Sequence, residues 1–136
     1  MLPFALTLRP GESPYRQIVY AATRAVVSGE LAPGSRFPSV RELSQALRIN
    51  PNTAQKAVAE LTRDGLLEVR PGIGTVVAEG RRRPSAGERR QLLSAEVEKL
   101  LVEARRLGVS LDELLEAVEH RWDVLFRDEA GSGTGR

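Results

Sequence analysis

Apolar residues in the first half of the chain recur at helical spacing in segments separated by turn signals. Ser13 is predicted to cap the first helix, with Pro14 at the first helical position and Gly29 at the end. Ser39 opens the second helix, and Glu42 three residues later completes a capping box, in which each side chain bonds the other residue's backbone N–H. Both segments are therefore predicted to be helices.

A third helix is predicted to begin at Pro51, with Asn50 as its N-cap, and to stop at Gly65. Residues 66–70 and 75–79 read as strands, and the glycine-rich turn between them predicts a β-hairpin. The apolar stripes predicted for the three helices are Tyr15, Ile18, Ala22, Ala25 and Val26; Leu43, Ala46 and Leu47; and Ala54, Ala57, Val58 and Leu61.

The last third of the chain is predicted to form two more amphipathic helices. The first covers residues 88–107 and repeats apolar residues in a 4-3-4-3 spacing, which is typical of a helix–helix seam. The second opens with a capping box of Ser110 and Glu113. This seam could be intramolecular core, but two helices this short cannot cover each other fully, so a partner chain is favoured. The residues assigned to dimerisation are Leu93, Val97, Leu100, Leu107, Leu114 and Leu115.

Three helices, the last two short and closely joined, followed by a hairpin, predict a mainly α fold with a small β-hairpin: a winged helix-turn-helix. The chain is predicted to divide into a winged helix-turn-helix DNA-binding domain at 1–80 and a linker with a two-helix dimerisation region at 81–127. Residues 128–136 are expected to be a disordered tail.

Composition excludes several classes of function. The chain has no cysteine and one histidine, His120, which excludes disulfides, thiolate metal sites and a histidine cluster. It also has no phosphate-binding glycine loop, so we expect no enzymatic activity, no cofactor and no metal. Neither a targeting signal nor an apolar run of membrane-spanning length is present, so we expect a cytoplasmic protein without a membrane partner.

The charge distribution favours a nucleic-acid partner for the front of the chain. The net charge is only +2, but residues 1–80 carry 9 basic and 7 acidic side chains, and residues 81–90 carry 5 basic and 1 acidic. Residues 91–136 are acidic, with 6 basic and 10 acidic side chains. Arginine dominates the basic residues, and its guanidinium can bond phosphate or guanine in pairs.

The polar face of the third helix suits contact with DNA. Asn and Gln can pair with adenine edges, Thr can contact a base or a thymine methyl, and Lys or Arg can take guanine or phosphate. On these grounds the candidate residues of this helix are Asn52, Thr53, Gln55 and Lys56. Arg41 on the second helix is a candidate base contact, and Arg16 and Arg36 are candidate phosphate contacts.

Several motifs, in order and at matching spacing over about residues 13–79, resemble the GntR family of transcription regulators. The segments that carry this resemblance are 14–18 (PYRQI), 29–34 (GELAPG), 37–43 (FPSVREL), 50–53 (NPNT) and 72–75 (GIGT). The opening at 50–53, together with a tail of only two helices, resembles the YtrA-like subfamily.

The resemblance implies a homodimer bound to an inverted repeat of double-stranded operator DNA, most simply as a repressor, with transporter genes as an expected target by analogy. It implies that Arg41 reads a base and that the wing glycine Gly72 approaches the minor groove. It also implies that the recognition helix is opened by Asn50, Asn52, Thr53 and Gln55. Ser39 is a further candidate for DNA binding. Pro51, Gln55 and Ile73 stand where other members often carry basic residues. The operator sequence therefore cannot be copied from those members. The sequence also does not identify a small-molecule effector.

Three alternatives stay open. The winged domain could be a protein-interaction module. Asn50 could be a cap without a role in base reading. The run Arg81 to Arg83 could be a solvated linker or a contact to the DNA backbone.

Overall fold

The computed structural model describes residues 2–80 and 84–127, which form two compact units. The arginine run 81–83 and the expected disordered tail 128–136 lie outside the described residues. No helix in the described part of the chain is long and apolar enough to cross a membrane.

The front unit contains three helices and a two-stranded antiparallel sheet. Its elements are α1 (Pro14–Val27), α2 (Val40–Leu47), α3 (Pro51–Arg63), β1 (Leu67–Arg70) and β2 (Gly74–Val77). The predicted N-caps are confirmed: the side chains of Ser13, Ser39 and Asn50 each accept a backbone N–H from the first turn of their helix. The capping box of Ser39 and Glu42 is complete.

The core of the front unit lies where α3 packs against α1 and α2. The buried side chains include most of the predicted stripes, whereas Ala46, expected on the buried face of α2, is exposed. The chief contributors are Ile18, Ala22, Ala25, Leu31, Phe37, Leu43, Ala54, Leu61, Leu67 and Val77. This packing holds α3 in place against α1 and α2.

The hairpin pairs Leu67 with Val77 and Arg70 with Gly74 at its two ends. β2 begins one residue earlier than predicted and ends at Val77 rather than at residue 79. A third chain segment borders it. Arg36 forms an isolated bridge to Val76, and the Phe37 N–H donates to the Thr75 carbonyl at 2.8 Å. The hairpin is thus tied to the segment that precedes α2.

The N-terminal segment is part of this core, which the sequence analysis did not foresee. Phe4 is buried, and its ring stacks on Phe37 with centroids 5.6 Å apart. Leu2 and Leu6 are partly buried against the same cluster. The alternation of apolar residues over positions 2–8 was the available signal, since period two is typical of an extended segment with one buried face.

The second unit consists of α4 (Ala86–Arg106) and α5 (Leu111–Leu125). α4 begins two residues before the predicted position, because the Ser85 hydroxyl accepts the Glu88 N–H and caps it there. The predicted box at the start of α5 forms differently. The Ser110 hydroxyl accepts the Glu113 N–H at 3.2 Å but donates to the Glu113 carboxylate, which replaces the predicted bond to the backbone.

Candidate nucleic-acid interface

α3 has a buried and an exposed face, and the exposed face is polar. Ala54, Ala57 and Leu61 are fully buried and follow each other at spacings of three and four residues. The opposite side of the helix therefore faces solvent. The predicted DNA contacts on this helix comprise Asn52, Gln55 and Lys56, which are exposed, and Thr53, which is half-buried.

The start of α3 is held by a side-chain cap. The Asn50 Oδ1 accepts the Asn52 N–H at 2.8 Å, and Pro51 occupies the first turn, where it removes a donor that would have no partner. This bond uses one Asn50 oxygen and leaves its amide N–H₂ group on the exposed surface. Asn50 is therefore a cap by geometry and can also donate to a ligand.

The turn between α2 and α3 contains a feature that the sequence did not reveal. Arg48 caps the C-terminal end of α2 in the left-handed backbone conformation, with φ 54°, which residues other than glycine rarely adopt. Its N–H donates to the Ser44 carbonyl, and so does the N–H of Ile49 at 3.1 Å. The chain thereby changes direction between α2 and α3 at a single residue. No glycine stands at this position, so the sequence does not predict the left-handed turn.

Arg41 lies in the first turn of α2, between Ser39 and Glu42, the two residues of the capping box. It is exposed, while Leu43 two residues on is fully buried. Ser39 itself is exposed, with its hydroxyl committed to the Glu42 N–H at 3.1 Å. The box therefore fixes the start of α2 and presents Arg41 to solvent.

The basic candidates are available for an external anion. Within residues 2–80 and 84–127, the ion pairs involve Arg70, Lys99 and Arg106 as cations. The candidate cations outside those pairs are Arg16, Arg36, Arg41 and Lys56, all of them exposed. Exposed and unpaired guanidinium and ammonium groups are the groups that contact phosphate.

The structure brings part of the candidate set together. A groove of about 360 Å³ lies between the starts of α1 and α3, and Tyr15, Thr53 and Lys56 line it. Arg16 lines a different groove along α1, and Arg36 lines a third beside α2. Of the candidate residues, Thr53 and Lys56 thus share one groove, whereas Arg16 and Arg36 lie at two others.

The wing carries Gly72 at φ 77°, a left-handed conformation that suits glycine. No atom lies within 4 Å of the place where a Cβ would stand, so glycine is favoured here by the backbone conformation and not by lack of space. Beside it, Arg70 bonds two carboxylates: its Nη2 lies 2.8 Å from Glu68 and 2.7 Å from Glu79. Arg70 donates hydrogen bonds to both carboxylates, and these bonds raise its pKa, Glu79 having the larger effect and Glu68 the smaller. Sequence analysis did not identify this cluster.

The predicted dimerisation residues lie on the second unit, and nearly all of them are exposed. Leu93 is 64% exposed and Leu107 60%, while Leu114 is half-buried. The one buried side chain in the described part of this unit is that of Ala104. Within residues 84–127, α4 and α5 share no extended contact, so the predicted seam does not join these two helices of one chain.

No group of three or more His, Asp or Glu side chains in the described residues is arranged to hold a metal ion.

These features define a winged helix-turn-helix with an exposed polar recognition face, a class that comparison with known proteins also identifies. The family described as "Bacterial regulatory proteins, gntR family" matches residues 14–77. The HTH-type transcriptional repressor YtrA of Bacillus subtilis is 32% identical over 108 residues, which cover 79% of each protein. A second regulator of that bacterium, YhcF, is 36% identical over 106 residues, covering 77% of this chain and 86% of YhcF.

The fold matches as well. The crystal structure of a transcriptional antiterminator from Listeria monocytogenes EGD-e superimposes with a TM-score of 0.76 at 25% identity, over 89% of this chain and 92% of that one. The chain belongs to the GntR family of DNA-binding bacterial transcription regulators. The resemblance to the YtrA-like subfamily that the sequence suggested is confirmed by these relatives.

Proposed function

We propose that the protein is a homodimeric repressor that binds an inverted-repeat operator with α3 in the major groove. The observation that carries this proposal is the exposed polar face of α3, which is braced from behind by α1 and α2. A helix held rigidly by its apolar side can enter a groove about 12 Å wide without losing its shape.

Residue roles follow from position and chemistry. Asn52, Thr53 and Gln55 lie in the first turns of α3 and read base edges, since amide and hydroxyl groups pair with donors and acceptors in the major groove. Arg41 reads a base from α2. The residues that fix the register on the DNA backbone are Arg16, Arg36 and Lys56 as phosphate contacts, Ser39 and Asn50 as caps that hold the helix starts, and Gly72 as the close approach of the wing.

The second unit supplies the dimer. Its apolar side chains stand in solvent on a single chain, and a second copy of the same helices is the surface that can cover them around a two-fold axis. Two recognition helices related by that axis match an inverted repeat. In this proposal residues 1–80 bind DNA and residues 81–127 link and dimerise.

A repressor role is taken from the relative YtrA, whose name describes a repressor. A dimer seated on promoter DNA excludes polymerase without needing a further domain. The target genes rest on resemblance alone, with transporter genes as the expected set, and the protein then acts in the cytoplasm where that DNA is. Sequencing of DNA crosslinked to the protein in cells identifies these genes directly.

The test of DNA reading compares Arg41→Ala with Arg24→Ala. Arg24 is a matched control because it is an exposed arginine in the last turn of α1 that is not among the proposed DNA contacts. We expect Arg41→Ala to lose about 1–3 kcal/mol of binding free energy on an operator duplex and far less on random duplex DNA, measured by fluorescence anisotropy. Equal losses on both duplexes would make Arg41 a phosphate contact.

The same titrations separate DNA binding from protein interaction as the main activity. Affinity for the operator should fall steeply with salt, because each phosphate that is neutralised releases counterions. An affinity for duplex DNA that is weak, independent of salt and blind to sequence would favour the protein-interaction module.

The dimer is tested in the full chain with Leu100→Asp and Val102→Asp. Both residues are exposed on α4, but Val102 lies about 200° around the helix from Leu100 and outside the proposed stripe. We expect Leu100→Asp to be monomeric in light scattering, because a buried carboxylate without a partner is costly, and Val102→Asp to remain dimeric. If both variants remain dimeric, the interface lies outside the proposed stripe of α4.

A further inference from the structure

The wing of this protein ends in an apolar residue on a rigid support. The Ile73 N–H donates to the Arg70 carbonyl at 3.1 Å and closes a turn with Pro71 and Gly72 at its centre. Proline followed by a glycine at positive φ is the pattern of a type II turn, and Gly72 has φ 77°. The proline ring fixes the φ of Pro71, so the tip is held in place before any ligand arrives.

Ile73 stands free at this tip. It is 56% exposed, and neither Gly72 nor Gly74 beside it has a side chain to shield it. Val69, on the exposed face of β1, is the other large apolar side chain of the hairpin in contact with solvent. An exposed isoleucine on a rigid turn costs solvation and contributes nothing to the core of its own chain.

The charges of the wing do not attract phosphate. Within residues 67–79 the single cation is Arg70, and Glu68 and Glu79 both bond it. Arg36 belongs to the neighbouring segment that borders β2 at Val76. The trio of Arg70, Glu68 and Glu79 has a net charge of −1, since two carboxylates oppose one guanidinium. A phosphate group would have to compete with both carboxylates for Arg70 and would be repelled by the remaining charge.

The hairpin is long enough to reach the groove next to the one that α3 enters. Four residues per strand at about 3.3 Å each give about 13 Å, plus the turn. Half a helical repeat of DNA is about 17 Å, which is the axial distance from a major groove to the adjacent minor groove. A minor groove is about 6 Å wide and admits a single narrow side chain.

We propose that Ile73 is a specificity-determining residue that packs as an apolar wedge into the minor groove beside each half-site. The inference rests on the proposed DNA-binding function. Apolar side chains at such positions contact A·T pairs more closely than G·C pairs, because guanine carries an amino group on the groove floor. The wing therefore contributes preference for A·T pairs without adding to the salt dependence, whereas cations on α1–α3 supply that dependence.

The experiment uses the full chain and a duplex that the wild-type protein enriches from a random-sequence pool. The variants are Ile73→Ala, Ile73→Arg and, as a matched control, Val69→Ala, which removes the same kind of exposed β-branched side chain from the same hairpin. Anisotropy titrations at several salt concentrations give the affinity and its salt slope. A second duplex of the same sequence carries diaminopurine for adenine, which adds an amino group in the minor groove and leaves the major groove pattern of the A·T pair intact.

Ile73→Ala should weaken binding to the enriched duplex at least about fivefold with an unchanged salt slope, because apolar contact is lost and no charge changes. Val69→Ala should bind within about twofold of wild type. Replacing adenine by diaminopurine should weaken DNA binding by the wild-type protein more than DNA binding by Ile73→Ala. Ile73→Arg should steepen the salt slope by about 0.9 per wing, because it adds a cation beside phosphates.

Ile73→Ala that binds like wild type, equal losses in Ile73→Ala and Val69→Ala, or an unchanged slope in Ile73→Arg would overturn the inference while the proposed function stands. Equal effects of diaminopurine on wild type and Ile73→Ala would do the same. If the wild-type chain enriches no duplex at all, the proposed function itself fails and this inference falls with it.

Discussion

The two units of this molecule use the same kind of side chain in opposite ways. Leu61 on α3 is completely buried among residues of its own unit, whereas Leu93 on α4 is 64% exposed. The front unit encloses an apolar cluster built from three helices, the hairpin and the N-terminal segment. The second unit, as a single chain, encloses almost nothing.

This difference separates two sources of stability. Burial within one chain stabilises the front unit at any protein concentration. Burial against a second copy depends on concentration, since association is a mass-action equilibrium. Most helical stability in proteins comes from packing of an apolar face, and the apolar faces of α4 and α5 are largely exposed on a single chain, so their stability is expected to increase with association.

The largest expected effect contrasts Leu61→Ala with Leu115→Ala. Leu61→Ala removes a fully buried side chain and should lower the free energy of unfolding of the front unit by about 2–5 kcal/mol. Urea unfolding at several protein concentrations should show this loss unchanged. Leu115→Ala should lower stability only at concentrations at which the wild type is dimeric, because in the proposed dimer a partner covers its side chain, which is half-exposed on a single chain.

A loss in Leu115→Ala that is the same at every concentration would break the contrast. It would mean that α5 finds its apolar cover within one chain.

A smaller effect concerns the turn that aims α3. Arg48 is left-handed at φ 54°, and glycine adopts this conformation without steric cost. Arg48→Gly should therefore be about 1 kcal/mol more stable to unfolding than Arg48→Ala, which removes the same charged side chain but keeps the Cβ. Thermal unfolding of both variants measures the difference. Equal stability would show that the turn relaxes and that the rest of the unit does not hold it in place.

The helices of the front unit could be predicted because their signals are local. Ser13, Ser39 and Asn50 cap within a few residues of themselves, and the spacing of apolar residues shows which face is buried. The polar face of α3 follows from the same spacing. The winged fold was therefore accessible from sequence, the GntR family was accessible from the resemblance of its ordered motifs, and both are confirmed.

The features that escaped prediction depend on contacts between distant residues. Phe4 packs on Phe37, more than thirty positions away, and the alternation that announces it is short. Arg70 pairs with Glu79 across the hairpin, which requires the register of the two strands. Arg48 is left-handed because α2 and α3 must meet the same core, and arginine carries no sequence signal for that conformation. The roles of individual DNA contacts stay predictions, as does the assignment of the second unit to dimerisation.

The most direct test of the central claim, that the second unit and not the winged domain makes the dimer, is sedimentation equilibrium of the full chain beside residues 1–83. The front unit has its own core and should fold in both. We expect the full chain to sediment as a dimer and residues 1–83 as a monomer that binds the operator at least about tenfold more weakly, because the two half-site contacts are no longer linked. A dimer of residues 1–83 would place the interface in the winged domain and contradict the account.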